Sequence, residues 1–166
     1  MSAALDAAVV RNLFALYAHD MSEFVGLDVQ DDGTFAIPAS LATYWEGPDA
    51  ARRYPFLIRA DDRLAGFALV RQIAADPATY DMGQFFILRK YRRSGLGRQA
   101  ACWLFDRFAG NWEVRELPAN GAAQAFWRRI IADYTLGAFT EAQELFAAHG
   151  REFIVQRFHA GQNRST

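Results

Sequence analysis

The spacing of hydrophobic residues along the first half of the chain predicts one helix followed by three strands. Apolar residues at helical intervals predict a helix over residues 3–19. Two short apolar runs, Pro55–Arg59 and Leu64–Val70, lie on either side of Asp61-Asp62 and predict a β-hairpin. A third apolar run predicts a strand over Met82–Leu88. Because no helix intervenes between these strands, we expect an antiparallel meander.

The next stretch of the chain predicts a strand–helix–strand unit. Helical spacing returns over Arg98–Ala109, and Gly110 is placed to end this helix. The alternation of apolar and polar residues in Trp112–Leu117 predicts the following strand. A helix between two neighbouring strands allows them to run in the same direction, so we expect this strand to be parallel to Met82–Leu88.

The last third of the chain predicts one more helix and a terminal strand. Residues 120–131 carry an apolar helical stripe, and Asn120 is a favourable N-cap. Residues 133–148 allow two interpretations, because Thr140–Gln143 is either a capping box that opens a short helix or part of a strand and loop. Arg151–Phe158 predicts the final strand.

Composition and charge limit the classes of protein to which the chain can belong. Its 166 residues suggest one domain over residues 1–166 with a hydrophobic core. A hydrophobic content of 52% argues against disorder, and a net charge of -1 argues against a surface built for nucleic acid. The only cysteine, Cys102, excludes an internal disulfide and is expected to serve packing. Asp6 and Arg11 interrupt the N-terminal apolar run and no segment has eighteen consecutive apolar residues, so we expect a soluble cytoplasmic protein without a membrane partner.

A basic, glycine-rich segment joins the predicted strand at 82–88 to the helix that follows. It contains Arg89, Lys90, Arg92 and Arg93 ahead of Ser94-Gly95-Leu96-Gly97. Glycines let the backbone approach a ligand closely, and the first N–H groups of a helix point away from it toward that ligand. Together with the helix dipole and the arginine side chains, they favour an anion and suit phosphate best. The segment therefore predicts a phosphate-binding turn.

The hexapeptide from Arg92 to Gly97 resembles the R/Q-x-x-G-x-G/A signature of the GNAT acetyltransferase superfamily. The resemblance covers roughly residues 55–135. It implies an α/β (α+β) fold with a mixed, mostly antiparallel central sheet, flanking helices and a splayed parallel pair that holds acetyl-coenzyme A. It also implies the following cofactor-binding residues: Phe85, Phe86, Ile87, Arg92, Arg93, Ser94, Gly95, Leu96, Gly97, Arg98, Asn120 and Trp127.

The resemblance continues into the helix predicted after residue 120, with one departure. In the family this helix begins with asparagine and has alanine three residues later, as Asn120 and Ala123 do. The family commonly has tyrosine seven residues after that asparagine, as the acid toward the leaving thiolate, but here the position is Trp127. An indole carries no transferable proton near neutral pH. We therefore expect Trp127 to pack near the pantetheine arm or in the core beneath it, and the acid stays unassigned.

Acetyl transfer to an amine also needs oxyanion stabilisation and a neutral amine. A backbone N–H group of the strand at 85–87 would stabilise the oxyanion. Gln84 stands where related sequences often have glutamate, and it cannot accept a proton. The candidate bases are Asp81, Glu113 and a chain of water molecules, and the candidate acids are Tyr80 and Tyr134. The catalytic residues thus stay unknown, and no metal is expected.

The resemblance implies an acetyl-CoA-dependent N-acetyltransferase that acts on a primary amine of a small molecule or peptide. Thr43–Pro48 could line the acceptor pocket or form a loop anchored by its aromatic residues. One alternative is a non-catalytic acyl-CoA sensor or binding module on the same fold, including a basic patch for RNA. A second alternative is a dinucleotide-binding protein, because Gly95–Ala100 fits the dinucleotide fingerprint and Glu116 lies about twenty residues further on. A third is that the basic segment is a surface turn with glycine caps and no ligand. The acceptor and the oligomeric state, homodimer included, stay open.

Overall fold

The computed structural model describes residues 2–3 and 7–161, and its residues group into two compact units. The first unit contains the chain up to Val70 together with Gln84–Arg92. The second unit contains Arg71–Gly83 and the chain from Arg93 onward. Each unit is therefore discontinuous in sequence, and the single domain over residues 1–166 stays a prediction.

The described part of the chain contains seven strands and three α-helices. The strands are β1 (Ser2–Ala3), β2 (Arg53–Ala60), β3 (Arg63–Ile73), β4 (Asp76–Ile87), β5 (Gly110–Glu116), β6 (Phe139–Phe146) and β7 (Arg151–Ala160). The helices are α1 (Ala7–Val25), α2 (Leu96–Arg107) and α3 (Gly121–Thr135). The strands follow one another in the sheet in the order β1-β2-β3-β4-β5-β7-β6.

The sheet is mostly antiparallel, with one parallel pair. β1 is antiparallel to β2, and β7 is antiparallel to both β5 and β6. Only two residues join β2 to β3 and β3 to β4, which forces these neighbours to be antiparallel as well. β4 and β5 are parallel, with Thr79–Asp81 opposite Asn111–Glu113. The predicted fold class is confirmed, and the meander excludes the doubly wound parallel sheet that a dinucleotide fingerprint requires. The divergence of Gln84–Leu88 from residues 112–117 stays a prediction.

The core of the first unit forms where α1 packs on the β2–β4 meander. Buried residues of α1 contact those of the strands and of a short 3-10 helix, Ala39–Tyr44: Val10, Leu13, Phe14, Leu41, Tyr44, Leu57, Phe67, Leu69 and Phe86. α1 continues six residues beyond the predicted end at residue 19, up to Val25. It ends where Gly26 takes a left-handed φ of 63° and donates its N–H to the Ser22 carbonyl, 3.0 Å away. No helix in the described part of the chain is long and apolar enough to cross a membrane.

The core of the second unit is aromatic and lies between α2, α3 and one face of β5 and β7. The Phe105 ring of α2 lies 5.0 Å from Trp112 and 4.8 Å from Phe158, both in edge-to-face contact. Ile131 of α3 is fully buried. Cys102 is half-buried within α2, in line with a packing role.

Two predictions about the second unit were wrong. α2 begins at Leu96 and ends at Arg107, and Gly110 opens β5 instead of ending the helix. A Cβ at Gly110 would lie 3.1 Å from the Ala78 carbonyl, so this glycine permits the close approach of β4. Of the two interpretations of residues 133–148, the capping box is wrong and the strand is correct, because Thr140–Gln143 pairs with β7 inside β6.

Candidate functional site

Arginine side chains at the end of β4 are bound to Asp20 of α1 in the first unit. Arg89 donates from Nε and Nη2 to Asp20 Oδ1 over 3.1 and 2.8 Å. Arg92 donates from Nη2 to Asp20 Oδ2 and from Nε to the Ile87 carbonyl, 2.8 Å away. Burial raises the pKa of Asp20, but the hydrogen bonds and charges of Arg92 and Arg89 outweigh it and hold the pKa below its ordinary value. Asp20 therefore neutralises part of the basic segment.

The predicted cofactor strand contributes buried side chains to the core of the first unit. Phe86 is 5% exposed, and its ring lies 6.0 Å from Tyr17 and 5.7 Å from Phe67. Ile87 is buried and Phe85 is half-buried. Because the Phe86 side chain is held in the core, any contact of this residue with a cofactor falls to its backbone.

A glycine of β3 lies against the same strand. A Cβ placed on Gly66 would lie 1.9 Å from the Phe86 carbonyl oxygen and 3.1 Å from the Ile87 Cα. The Leu88 N–H donates to the Ala65 carbonyl over 2.8 Å, so the backbones of β3 and β4 are in close contact here. Glycine inside a strand is a known signal of such an approach. Gly66 lies within the predicted strand Leu64–Val70, so the signal was present in the sequence.

The second half of the signature forms the start of α2 in the second unit. Arg93 and Gly95 both take left-handed backbone angles, with φ of 64° and 86°. The first helical hydrogen bond runs from the Gln99 N–H to the Gly95 carbonyl over 3.0 Å, so the N–H groups of residues 96–98 precede the helical ladder. A Cβ on Gly95 would meet no atom of the described chain within 4 Å. This turn has exposed Arg93, Ser94 and Arg98 around a helix N-terminus and therefore suits an anion.

Asn120 and Trp127 have structural roles in α3. The Asn120 Oδ1 accepts the Ala123 N–H over 3.0 Å, which confirms the predicted N-cap. Trp127 is 6% exposed, and its ring lies 6.4 Å from Phe105 and 5.0 Å from Phe126. The structure thus places the indole in the core of the second unit.

The carboxylates considered as bases are held by arginines. The Asp81 Oδ2 lies 2.6 Å from Arg71 Nη2 and 2.9 Å from Arg115 Nη2. The Glu113 Oε2 lies 2.8 Å from Arg157 Nε. Both carboxylates are therefore engaged in ion pairs with arginine side chains. Among the residues described, no group of three or more His, Cys, Asp and Glu could hold a metal ion.

The two tyrosines considered as acids lie in the second unit. The Tyr80 ring packs 5.1 Å from Phe108 and 5.7 Å from Trp112. Tyr134 donates its hydroxyl to the Asp106 Oδ1 over 2.8 Å. The Tyr134 proton is therefore engaged with a carboxylate in this structure.

A buried acid that sequence analysis considered only for a dinucleotide site lies at the end of β5. Glu116 is 4% exposed, and within the described residues neither of its carboxyl oxygens has a hydrogen bond to another residue. Burial, reinforced by the charge of Glu141 and opposed by Arg128, raises the pKa of Glu116 to about 8. The signal was available in the sequence, because Glu116 shares its strand face with Trp112 and Val114.

The aromatic segment after α1 partly lines a cavity in the first unit. Tyr44 is buried in the core with the Arg53 guanidinium 5.3 Å from its ring centre. Trp45 and Glu46 line a cavity of about 340 Å³ together with Arg11 and Leu41. The segment thus contains an aromatic anchor and part of a cavity wall, and its contact with an acceptor stays a prediction.

Comparisons with known proteins agree with this arrangement. The model of the acetyltransferase (GNAT) family matches residues 13–131. An acetyltransferase from Thermus thermophilus has a TM-score of 0.67 at 16% identity, over 95% of this chain and 93% of the other. The ribosomal-protein-S18-alanine N-acetyltransferase from Escherichia coli has a TM-score of 0.52 at 23% identity, over 79% and 85%. A Bacillus subtilis acetyltransferase in complex with CoA has a TM-score of 0.55 at 13% identity, over 73% and 83%. A search of curated proteins gives no match.

Proposed function

Since the chain belongs to the GNAT acetyltransferase family, we propose that it transfers an acetyl group from acetyl-coenzyme A to a primary amine. The observation that carries the proposal is the turn between β4 and α2, where Gly95 in a left-handed conformation opens a helix beside exposed arginines. The amine acceptor is a small molecule or a peptide. The Escherichia coli protein of the same fold acts on an alanine amine, which supports the choice of nitrogen as acceptor. A cytoplasmic location stays a prediction.

The residues of this turn fit a pyrophosphate group. The N–H groups that precede the helical ladder of α2 can donate to phosphate oxygens, and the space beside Gly95 leaves room for them. Arg93 and Arg98 add cationic donors. The other proposed contacts with the cofactor are Phe85, Phe86, Ile87, Ser94, Leu96, Gly97, Asn120 and Trp127.

The proposed chemistry depends on positioning more than on a side-chain acid or base. The amine nitrogen attacks the thioester carbon, the carbon–sulfur bond breaks, and the thiolate leaves. A free thiol titrates near ~8.5, so the thiolate departs with little help from an acid. An alkylamine with a pKa near ~10 must first lose a proton, and a water chain fits that role because arginines hold Asp81 and Glu113. A backbone N–H of the strand at 85–87 would stabilise the oxyanion.

One observation supports a second candidate function, that of an acyl-CoA-binding sensor. Gln84 and Trp127 replace the groups that would act as base and acid in the family, and Asp81 is held between two arginines. A protein that binds coenzyme A without turnover would show the same features.

Calorimetric titration with coenzyme A and a turnover assay with a panel of amines test the proposal together. We expect the wild type to bind coenzyme A and Gly95→Asp to lose binding, because a carboxylate at this position opposes the pyrophosphate. Gly121→Ala is the matched control, since it changes a glycine at the start of the other helix without positive φ. Equal affinity of a folded Gly95→Asp variant contradicts the proposed site. Binding without thiol release from acetyl-coenzyme A for any amine would favour the sensor.

A further inference from the structure

The first arginine of the signature, Arg92, is directed at protein groups. We propose that Arg92 and Asp20 form a positioning pair that fixes the coenzyme A turn, and that Arg92 does not itself bind phosphate. This inference rests on the proposed function, since it assigns roles within the same site. Arg92 then positions the turn instead of binding the cofactor. Asp20 becomes a second positioning residue, although no sequence motif indicates it.

The contacts of Arg92 join it to two elements of the first unit, α1 and β4. Its Nη2 bonds to Asp20 on α1, and its Nε bonds to the Ile87 carbonyl at the end of β4 over 2.8 Å. Its guanidinium lies 5.8 Å from the centre of the Phe86 ring, within the range of a cation–π contact. A planar guanidinium can make these contacts together, whereas a lysine ammonium cannot reproduce the fork.

Asp20 is enclosed by its partners. Its side chain is 17% exposed, compared with 72% for Arg89 and 41% for Arg92. One carboxylate oxygen accepts both bonds from Arg89 and the other accepts the bond from Arg92. A further ionisable neighbour is His19, whose Nδ1 lies 3.8 Å from Asp20 Oδ1. Both oxygens of the carboxylate are therefore occupied by the basic segment.

The position of this anchor in the chain explains its effect on the turn. Arg92 is extended, with φ of -70° and ψ of 154°, and the next residue, Arg93, takes a left-handed φ of 64°. A left-handed conformation is unfavourable for a non-glycine residue, so it needs support from its surroundings. Fixing Arg92 on α1 and β4 supplies support immediately before that step. The N-cap of α2, Gly95, follows two residues after Arg93, and the helix begins at Leu96.

The two possible roles of Arg92 predict opposite effects of removing Asp20. If Arg92 binds phosphate, Asp20 competes with the ligand, and Asp20→Asn should tighten coenzyme A binding. If Arg92 and Asp20 position the turn, Asp20→Asn should weaken binding, because the guanidinium loses its charged partner. We expect the second result, with a loss of about tenfold in affinity.

The experiment is calorimetric titration of coenzyme A into the wild type, Asp20→Asn, Arg92→Gln and the double variant. We expect each single variant to lose about tenfold and the double variant to be no worse than either, since the two residues act as one unit. Asp28→Asn removes the same charge from an exposed position after α1 and should leave affinity within about twofold. In turnover, the loss should appear in the KM for acetyl-coenzyme A, with kcat within about threefold.

Two results would overturn the inference. One is that Asp20→Asn binds coenzyme A as tightly as the wild type or more tightly, and the other is that the losses in affinity of the two single variants add up in the double variant. If Asp20→Asn does not fold, Arg92→Lys distinguishes the two roles. A direct phosphate contact would tolerate lysine, whereas the positioning role predicts a loss of about tenfold in affinity for coenzyme A. A wild-type protein that does not bind coenzyme A removes the proposed function and this inference together. A wild type that binds while Asp20→Asn binds equally well removes the inference alone.

Discussion

Among the described glycines of the first unit, Gly66 leaves the least room for a Cβ atom. A Cβ at this position would lie 1.9 Å from the Phe86 carbonyl oxygen, and that atom cannot move without shifting the β4 backbone. We expect Gly66→Ala to lower the free energy of unfolding by roughly 2–4 kcal/mol. Urea denaturation measures this, with Gly121→Ala as a control that meets no atom within 4 Å. A Gly66→Ala variant as stable as the control would show that the strands separate without cost.

Trp127 tests whether a side-chain acid is needed for turnover. Its indole is buried against Phe105 and Phe126, so Trp127→Phe removes packing and one N–H group. We expect activity within roughly tenfold of the wild type, because the thiolate leaves without an acid. Steady-state turnover with any working amine measures this effect, and Trp103→Phe on the exposed face of α2 is a control. A loss beyond roughly a thousandfold in a folded variant would mean that the indole N–H takes part in catalysis.

At the scale of elements, the hairpin between β2 and β3 has two non-glycine residues at positive φ in its turn. Asp61 and Asp62 both have positive φ, 47° and 59°, as a type I′ turn requires. We expect Asp62→Gly to raise the free energy of unfolding by up to about 1 kcal/mol, since glycine adopts this conformation without strain. Thermal and urea denaturation measure the effect. Asp49→Gly, at a negative φ of -85°, should instead be destabilising, and a gain in both variants would mean that positive φ is not the cause.

The elements that the sequence predicted well are those with a buried face. β2, β3 and β5 alternate or are continuously apolar because they lie in the core, and Asn120 has the side chain that an N-cap needs. β6 is different, because it is the last strand in the sheet order and most of its residues are exposed, so its sequence lacks a hydrophobic period. Only its pairing with β7 defines it as a strand.

The candidate site was predictable where its residues are consecutive. The signature turn follows from one short stretch, Arg92–Gly97, in which Gly95 takes one of the two left-handed angles and Arg93 takes the other. Asp20 was not predictable, because it meets Arg89 across 69 positions of sequence and nothing near it in the chain indicates an ion pair. The pairing of Asp81 and Glu113 with arginines likewise depends on which strands are neighbours.

At the scale of the whole molecule, carboxyl groups respond to pH in two opposite ways. The hydrogen bond from Arg157 lowers the pKa of Glu144, and the hydrogen bond from Arg128 lowers that of Glu141. The stability that these groups contribute is present above their unfolded-state pKa and is lost as the pH falls. Glu116, whose pKa burial raises, contributes in the other direction.

Replacing Glu116 by glutamine isolates its contribution to the pH dependence of stability from that of Glu141 and Glu144. Its pKa rises from 4.5 to about 8 on folding, so the folded state keeps a proton that the unfolded chain loses. Its stabilisation is complete below pH ~4.5 and disappears as the pH rises to ~8. We expect Glu116→Gln to gain stability over wild type across this window, by roughly 2–4 kcal/mol at its upper end, and to gain nothing further above it. Urea denaturation from pH 4 to pH 9 measures the difference, and Glu23→Gln on the exposed side of α1 controls for the lost charge. A difference that does not change with pH would mean that Glu116 is ionised in the folded protein and that a water molecule or ion satisfies its oxygens.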